Sequence, residues 1–403
     1  MKRKDSAMTR RRMIQTSAGL AVAGSLSADT SPKQGIYQTL GVQTVINATG
    51  TVTVLGGSVM PPEVVAAWVD ASKHFVNLLD LHDKVGERIA RLIGVDAALV
   101  TTGAAGALLL GTAAAVTRGD PKRISRLPDT TGMPNEVIIQ KPHHSCYDNQ
   151  LTNVGVKLVT VESAEDVRSA VSERTALMFF MNYLDPDGRI NRAEWLALAK
   201  RHKVLTLLDA AADVPPASRL SEYNKQGFDL VAFSGGKAIR GPNDTGLLLG
   251  SKELIAAAKK NTNPHCGTIG RMMKVSKEDM VALLAAVDRF VRLDHAAEER
   301  ALECRLATIE KAVQAVPGVT TERIVPAVAN HVPHLIVDWD SSRVRVSRES
   351  LTKSLSAGSP PILLGRMAGT GDKGILISVL TLQDNEDRVV AERLQGLLRN
   401  ASQ

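Results

Sequence analysis

Apolar residues along this chain fall into short runs separated by amphipathic stretches, the pattern of strands alternating with helices. Ala98 to Thr102 is a short apolar strand ending in Gly103, and AAGALLLGTAAAV (104–116), apolar on every side, reads as a buried helix directly after it. Strands are expected at 136–141, 157–161 and 175–182, an amphipathic helix at 194–202, and further strands at 204–209, 229–234 and 246–250. These strands are apolar along their whole length, so both faces of their sheet must be covered, which predicts a mostly parallel α/β sheet. From Lys277 to Val313 the pattern is one long helical stretch that ends at Pro317-Gly318. A second α/β segment follows, with strands near 334–338 and 374–382 and a final helix near 385–399. The chain therefore partitions into a segment 1–28, an N-terminal arm (29–60), a large domain (61–276), a linking helix (277–316) and a small C-terminal domain (317–403).

Composition narrows the function classes. The 403 residues are 44% hydrophobic and 23% charged, enough for a large and a small α/β domain, with no repeat period and no low-complexity tract. Aromatic residues make up 3%, too few for base-stacking platforms. The net charge of +7 is misleading until it is located, because Lys2, Arg3, Lys4, Arg10, Arg11 and Arg12 oppose only Asp5 in the first 28 residues. The remainder is about +2 by the same count, which predicts no nucleic-acid partner.

That basic start leads into a mildly apolar run with small residues near Ala28, and Thr9-Arg10-Arg11-Arg12-Met13-Ile14-Gln15 resembles a twin-arginine export signal. The expectation is export to the periplasm through the twin-arginine machinery, with cleavage near residue 28 and no stable membrane insertion afterwards; the alternatives are a basic tail or an uncleaved anchor. Met13 to Ala28 is too short and too weakly apolar for a comfortable membrane span. Cys146, Cys266 and Cys304 are odd in number and lack metal-type spacing, so they predict neither a disulfide framework nor a metal site.

Parallel sheets place their chemistry at the carboxyl ends of the strands. Those ends carry Gly103 with Gly106, then His143, Asp209, and Ser234 with Lys237. Thr101-Thr102-Gly103-Ala104-Ala105-Gly106 is a small-residue turn opening a helix, suited either to a phosphate or simply to close helix packing. GxGxxG and GxxxxGK[ST] are both absent, which argues against a nucleotide. Asp209, at the end of a buried strand, is either a turn former or the partner of a pyridine nitrogen. His143 is a structural histidine or a ring that packs on an aromatic ligand; its neighbour His144 and Cys146 lack a carboxylate at metal-ligand spacing. Lys237, in FSGGKAIRGPNDTG (233–246), is either a surface lysine or an amine placed to form a Schiff base.

Together these segments, with Ile46-Asn-Ala-Thr-Gly50, Leu208-Asp-Ala-Ala-Ala212 and Ile269-Gly-Arg-Met-Met-Lys-Val-Ser-Lys-Glu278, resemble fold-type I pyridoxal 5′-phosphate (PLP) enzymes. Within them the chain is similar to the selenocysteine synthase and D-glucosaminate-6-phosphate ammonia-lyase group over roughly residues 36 to 395. The resemblance implies that Lys237 holds PLP as an internal aldimine, Asp209 pairs with its ring nitrogen and His143 stacks on the ring. It further implies that Gly103, Ala104 and Ser234 cradle the phosphate, and that Arg366, with Arg271 as the weaker candidate, receives a substrate carboxylate. Thr268 or the turn 241–246 is expected to reach into a neighbouring subunit's site, in a homodimer or larger homo-oligomer.

The implied function is a lyase acting on a small amino acid or amino sugar through an α-carbanion, with an aminotransferase, a racemase or an inactive exported binding protein as alternatives. Selenocysteine synthase proper carries an N-terminal helical region for tRNA, whereas here INATG begins about 18 residues after the proposed signal, so tRNA is not the expected substrate.

Overall fold

The computed structural model describes residues 35–365 and 374–402. The chain divides into two compact units, one ending at Thr44 and the other running from Val45. In the first, Ile36–Thr39 forms one turn of helix. The second contains strands β1 (Ile46–Ala48), β2 (Ala97–Thr102), β3 (Glu136–Gln140), β4 (Lys157–Val161), β5 (Thr175–Met181) and β6 (Leu205–Asp209). It continues with β7 (Leu230–Ser234), β8 (Thr245–Gly250), β9 (Val319–Ile324), β10 (His334–Trp339), β11 (Ile362–Leu364) and β12 (Ile375–Ser378).

Seven of these strands form one sheet in the order β2-β8-β7-β6-β5-β3-β4. All neighbours are parallel except β8, which runs antiparallel to both β2 and β7. Strand β5 shows why both faces must be covered: Met178 and Phe180 enter one apolar cluster while Leu177, Phe179 and Met181 enter the other. The first cluster is completed by residues of the helices Leu78–Ile93, Arg192–His202 and Lys277–Arg292. The second is built around Gly103–Thr117, a helix buried along most of its length.

A third cluster lies between the antiparallel sheet β12-β10-β9 and the helices His295–Gln314 and Glu386–Ala401. Ile46 and Ala48 join it, because β1 pairs in parallel with β11. The long stretch read as one helix is two, broken at Leu293, whose backbone is extended, and restarted where Asp294 accepts the Ala297 N–H at 2.9 Å. The strand expected at 374–382 closes earlier, at Ser378, and β9 escaped the pattern because VTTERI carries no apolar run. Among the described residues, no helix is long and apolar enough to cross a membrane.

Candidate active site

The rim of the large sheet brings together strand ends far apart in sequence. In register, Thr101 lies opposite Gly246 and Gly246 opposite Ser234, while Asp209 lies opposite Ala232. The carboxyl ends of β2, β6 and β7 therefore meet where β8 begins.

Asp209 is 6% exposed, and its Oδ1 accepts the Ala211 N–H at 2.9 Å. Burial pushes its carboxyl up to about 6, opposed by the Ala211 N–H and by Lys237 and reinforced by Asp213. Lys237 is the reciprocal case. Burial draws its ammonium below the usual lysine range, against the pull of Asp209 and Asp213. A cation and two carboxylates thus share one poorly solvated region.

The two glycines before Lys237 are dictated by how closely the following turn approaches. A Cβ on Gly236 would lie 2.4 Å from the Asn243 Cα, and one on Gly235 would lie 2.2 Å from the Thr245 Oγ1. The turn is closed by the Gly241 N–H to the Gly235 carbonyl and the Gly235 N–H to the Thr245 carbonyl, each at 2.8 Å. Ser58 then donates its hydroxyl to the carbonyls of Gly236 and Lys237, at 2.9 and 2.8 Å. The backbone that carries the lysine is fixed from both sides.

Gly103 and Ala104 open the helix Gly103–Thr117, whose first N–H groups receive no side-chain cap from Thr102. The Thr102 hydroxyl is itself buried without a partner. Gly246 forms the floor beside them: a Cβ there would lie 2.2 Å from the Gly103 carbonyl carbon and 2.6 Å from the Ala104 nitrogen. The free amides at the positive end of this helix, with Ser234 across Gly246, make a cradle suited to an anion.

Four further expected residues are His143, Thr268, Arg271 and Arg366. His143 is fully enclosed by protein: its ring meets Phe180 edge-on at 4.4 Å and its Nδ1 accepts the Met181 N–H at 3.3 Å. Its Nε2 is buried without a partner, and burial holds its pKa down at about 4. Among the described residues the ring contact of this imidazole is Phe180, with the two ring planes at 89°. On the same segment Tyr147 is half-exposed, and Asp209 is among the charges that raise its hydroxyl pKa, after burial and Cys146.

His144 is tied to Asp148 at 2.6 Å and to Thr160 at 2.9 Å. Thr268 donates to the His265 carbonyl at 3.0 Å and Arg271 is exposed beside it, both on the turn that follows the helix Lys252–Lys260. Arg366 lies outside the described residues, as does the segment 1–28.

On the other side of the lysine turn is a cavity of about 710 Å³, lined by Lys237, Ser58, Arg240, Arg289, Arg305 and His331 among others. Arg240 has its pKa lowered by burial and by the two neighbouring arginines. Sequence reading missed these arginines, Ser58 and Asp213. Asp213 alone had a local signal, a second acid four positions after Asp209; Ser58 meets its partners across 179 residues of chain.

Residues 45–332 match the sequence model of the L-seryl-tRNA selenium transferase family. The chain is 28% identical over 378 residues to a D-glucosaminate-6-phosphate ammonia lyase of Salmonella typhimurium, covering 91% of this chain and 99% of that one. It is 29% identical over 345 residues to a 5′-C-glycyluridine monooxygenase-decarboxylase of a Streptomyces species, covering 81% and 83%. A solved D-glucosaminate-6-phosphate ammonia-lyase superposes with a TM-score of 0.79 at 26% identity, over 92% of this chain and all of that one.

Proposed function

The chain belongs to the L-seryl-tRNA selenium transferase family, and from that membership we propose that it is a PLP-dependent lyase acting on a small amino acid or amino sugar. The observation that carries this reading is a half-buried amine, Lys237, under the charge of a buried carboxylate, Asp209, just past and at the ends of adjacent strands. The fold is that of fold-type I PLP enzymes.

The residues fit the cofactor. Asp209 is a carboxylate whose burial calls for a cationic partner, and the cradle offers the Gly103 and Ala104 amides and the Ser234 hydroxyl with no Cβ from Gly246 in the way. Bound PLP supplies an electron sink that makes the hydrogen on the amine-bearing carbon acidic. Lys237 would hold the cofactor, and its Nζ would be the base placed to take that hydrogen. Burial lowers its pKa, which favours the unprotonated amine. Asp209 would hold a proton on the ring nitrogen. Arg366 and the weaker candidate Arg271 are proposed to receive a substrate carboxylate, since a guanidinium fork binds one in two bonds. Arg240, Arg289 and Arg305 stand on the cavity wall with Glu298, Glu299 and Asp384.

The test is to incubate the PLP-loaded protein with a panel of amino acids and amino sugars, without any keto-acid acceptor, and measure ammonia and carbonyl product. Release of both is expected. Turnover only when an acceptor is added would make it an aminotransferase, and exchange of the α-hydrogen with inversion and no ammonia would make it a racemase.

We further propose that the protein is exported through its Thr9-to-Gln15 motif and works in the periplasm without a nucleic-acid partner. Fusing residues 1–35 to a reporter is expected to deliver it to the periplasm, and replacing Arg10 and Arg11 by Lys is expected to stop delivery; unchanged delivery would sink the proposal. A homodimer or larger assembly is supported by an exposed apolar set, Val65, Trp68, Val69, Phe75 and Val76, on and just after the helix Pro62–Ser72. Sedimentation at micromolar concentration is expected to give at least twice the chain mass, and a monomer there would refute it.

A further inference from the structure

Behind Asp209 lies a polar cluster that the proposed chemistry does not use. Asp213 is 1% exposed, and its Oδ2 accepts hydrogen bonds from the Asn182 Nδ2 at 2.5 Å and the Tyr223 hydroxyl at 2.9 Å. The Asp213 N–H donates to the Ala210 carbonyl at 3.1 Å, which folds the chain back immediately after Asp209. In the same stretch the Ala211 carbonyl accepts the Ser234 N–H at 3.3 Å, tying it to the strand that leads to Lys237.

The cations near Asp213 are held one step away. Arg219 donates to its backbone carbonyl at 2.9 Å and to the Ala327 carbonyl at 3.2 Å. Arg192 donates to the Asn182 Oδ1 at 2.7 Å, sits over the Tyr223 ring at 5.2 Å and lies 3.8 Å from Asp185. The carboxylate is therefore solvated by neutral donors but contacted by no guanidinium in these bonds. Buried charges of this kind are costly, and a chain that only needed to close a turn would be served by a neutral side chain.

We propose that Asp213 is a positioning residue, a second buried carboxylate whose charge, held by Asn182 and Tyr223, keeps the Asp209–Lys237 pair in its working arrangement. This rests on the PLP reading of the site, although its effect on Lys237 exists without the cofactor. Among the described residues, Arg240, Arg289, Arg305, Glu298, Glu299, Asp384, His295 and His331 line the cavity that Lys237 borders. Asp209 ends β6, Lys237 follows β7, Tyr147 comes from the segment after β3, and Tyr223, Arg219, Arg192 and Asp185 surround Asp213 from the elements packed against it. Asp213 favours a charged Lys237 and opposes ionisation of Asp209. With a protonated ring nitrogen opposite Asp209, the same field would help retain that proton.

Asp213→Asn removes the charge and keeps an oxygen for both donors. Two readouts test it on the full-length protein. In the first, Lys237 in protein free of PLP is labelled with acetic anhydride across pH and quantified by mass spectrometry. The midpoint is expected to fall by about one pH unit, so that labelling below it rises about tenfold. In the second, the visible band of PLP-loaded protein is titrated with pH and its midpoint is expected to move down.

Tyr223→Phe is the control, because it removes a hydrogen bond and keeps the charge; a lower melting temperature with an unmoved Lys237 midpoint is expected. Asp213→Ser serves if Asp213→Asn does not fold. An unmoved midpoint in the charge-removing variant, or equal movement in Tyr223→Phe, overturns the proposal. If no visible band forms in the wild type, the PLP reading fails while the labelling arm still decides the role of Asp213.

Discussion

Replacing Lys237 by alanine is expected to abolish turnover, by on the order of 10³ to 10⁴-fold, while leaving the fold intact. The fold should survive because Ala at 237 leaves every backbone hydrogen bond of the turn in place: Gly241 to Gly235, Gly235 to Thr245, Arg240 to the 237 carbonyl, and Ser58 to the carbonyls of 236 and 237. The chemistry should not survive, because the amine is both the proposed point of covalent attachment and the proposed base. The measurement is the visible absorption spectrum of wild type and variant, each before and after borohydride, followed by peptide mass analysis. A yellow wild type whose cofactor borohydride fixes onto residue 237, beside a variant lacking that adduct, is the expected result. A wild type that remains colourless with added PLP would mean that the fold has outlived the chemistry, and the binding-protein alternative would take its place.

Asp209→Asn should produce two effects of opposite sign. Activity is expected to fall on the order of 10² to 10³-fold, because the variant can no longer stabilise a proton on the ring nitrogen with a full charge. Stability of the cofactor-free protein is expected to rise. The carboxyl is raised from 3.8 to about 6 by burial, so its contribution to stability is fully present below 3.8 and lost as pH rises through 6. Above that pH the wild type carries a buried charge that costs on the order of 2–3 kcal/mol. Asparagine removes this cost and can still accept the Ala211 N–H. Melting curves of the two cofactor-free proteins should therefore coincide near pH 4 and separate above pH 6, with the variant higher. A variant less stable than wild type at pH 8 would show that Asp209 is there to hold the fold.

Asp209 and Lys237 were legible in the sequence for a local reason. Each follows an apolar run that must be a buried strand, and a charged residue there has few structural uses. The Gly235-Gly236 pair and Gly246 were legible as small residues, but their purpose was not: it depends on how near Asn243, Thr245 and Gly103 come in space. His143 was read on the same grounds as Asp209. It too follows a strand, yet its ring turns into the core against Phe180, and nothing in the residues around it encodes which way an imidazole faces.

By itself the sequence determined the period of the elements and the residues at their ends, because backbone geometry, capping and apolar periodicity act within a few residues. Only the tertiary structure decided which ends meet. The antiparallel β8 enters between β2 and β7, so that Gly246 sits level with both Thr101 and Ser234; β1 pairs with β11 more than 300 residues away. Asn182, Asp213 and Tyr223 likewise close into one hydrogen-bonded group from three separate elements. Such pairings follow from the simultaneous packing of both faces of the sheet and from the need to satisfy every buried polar group, and neither condition is local to any stretch of chain.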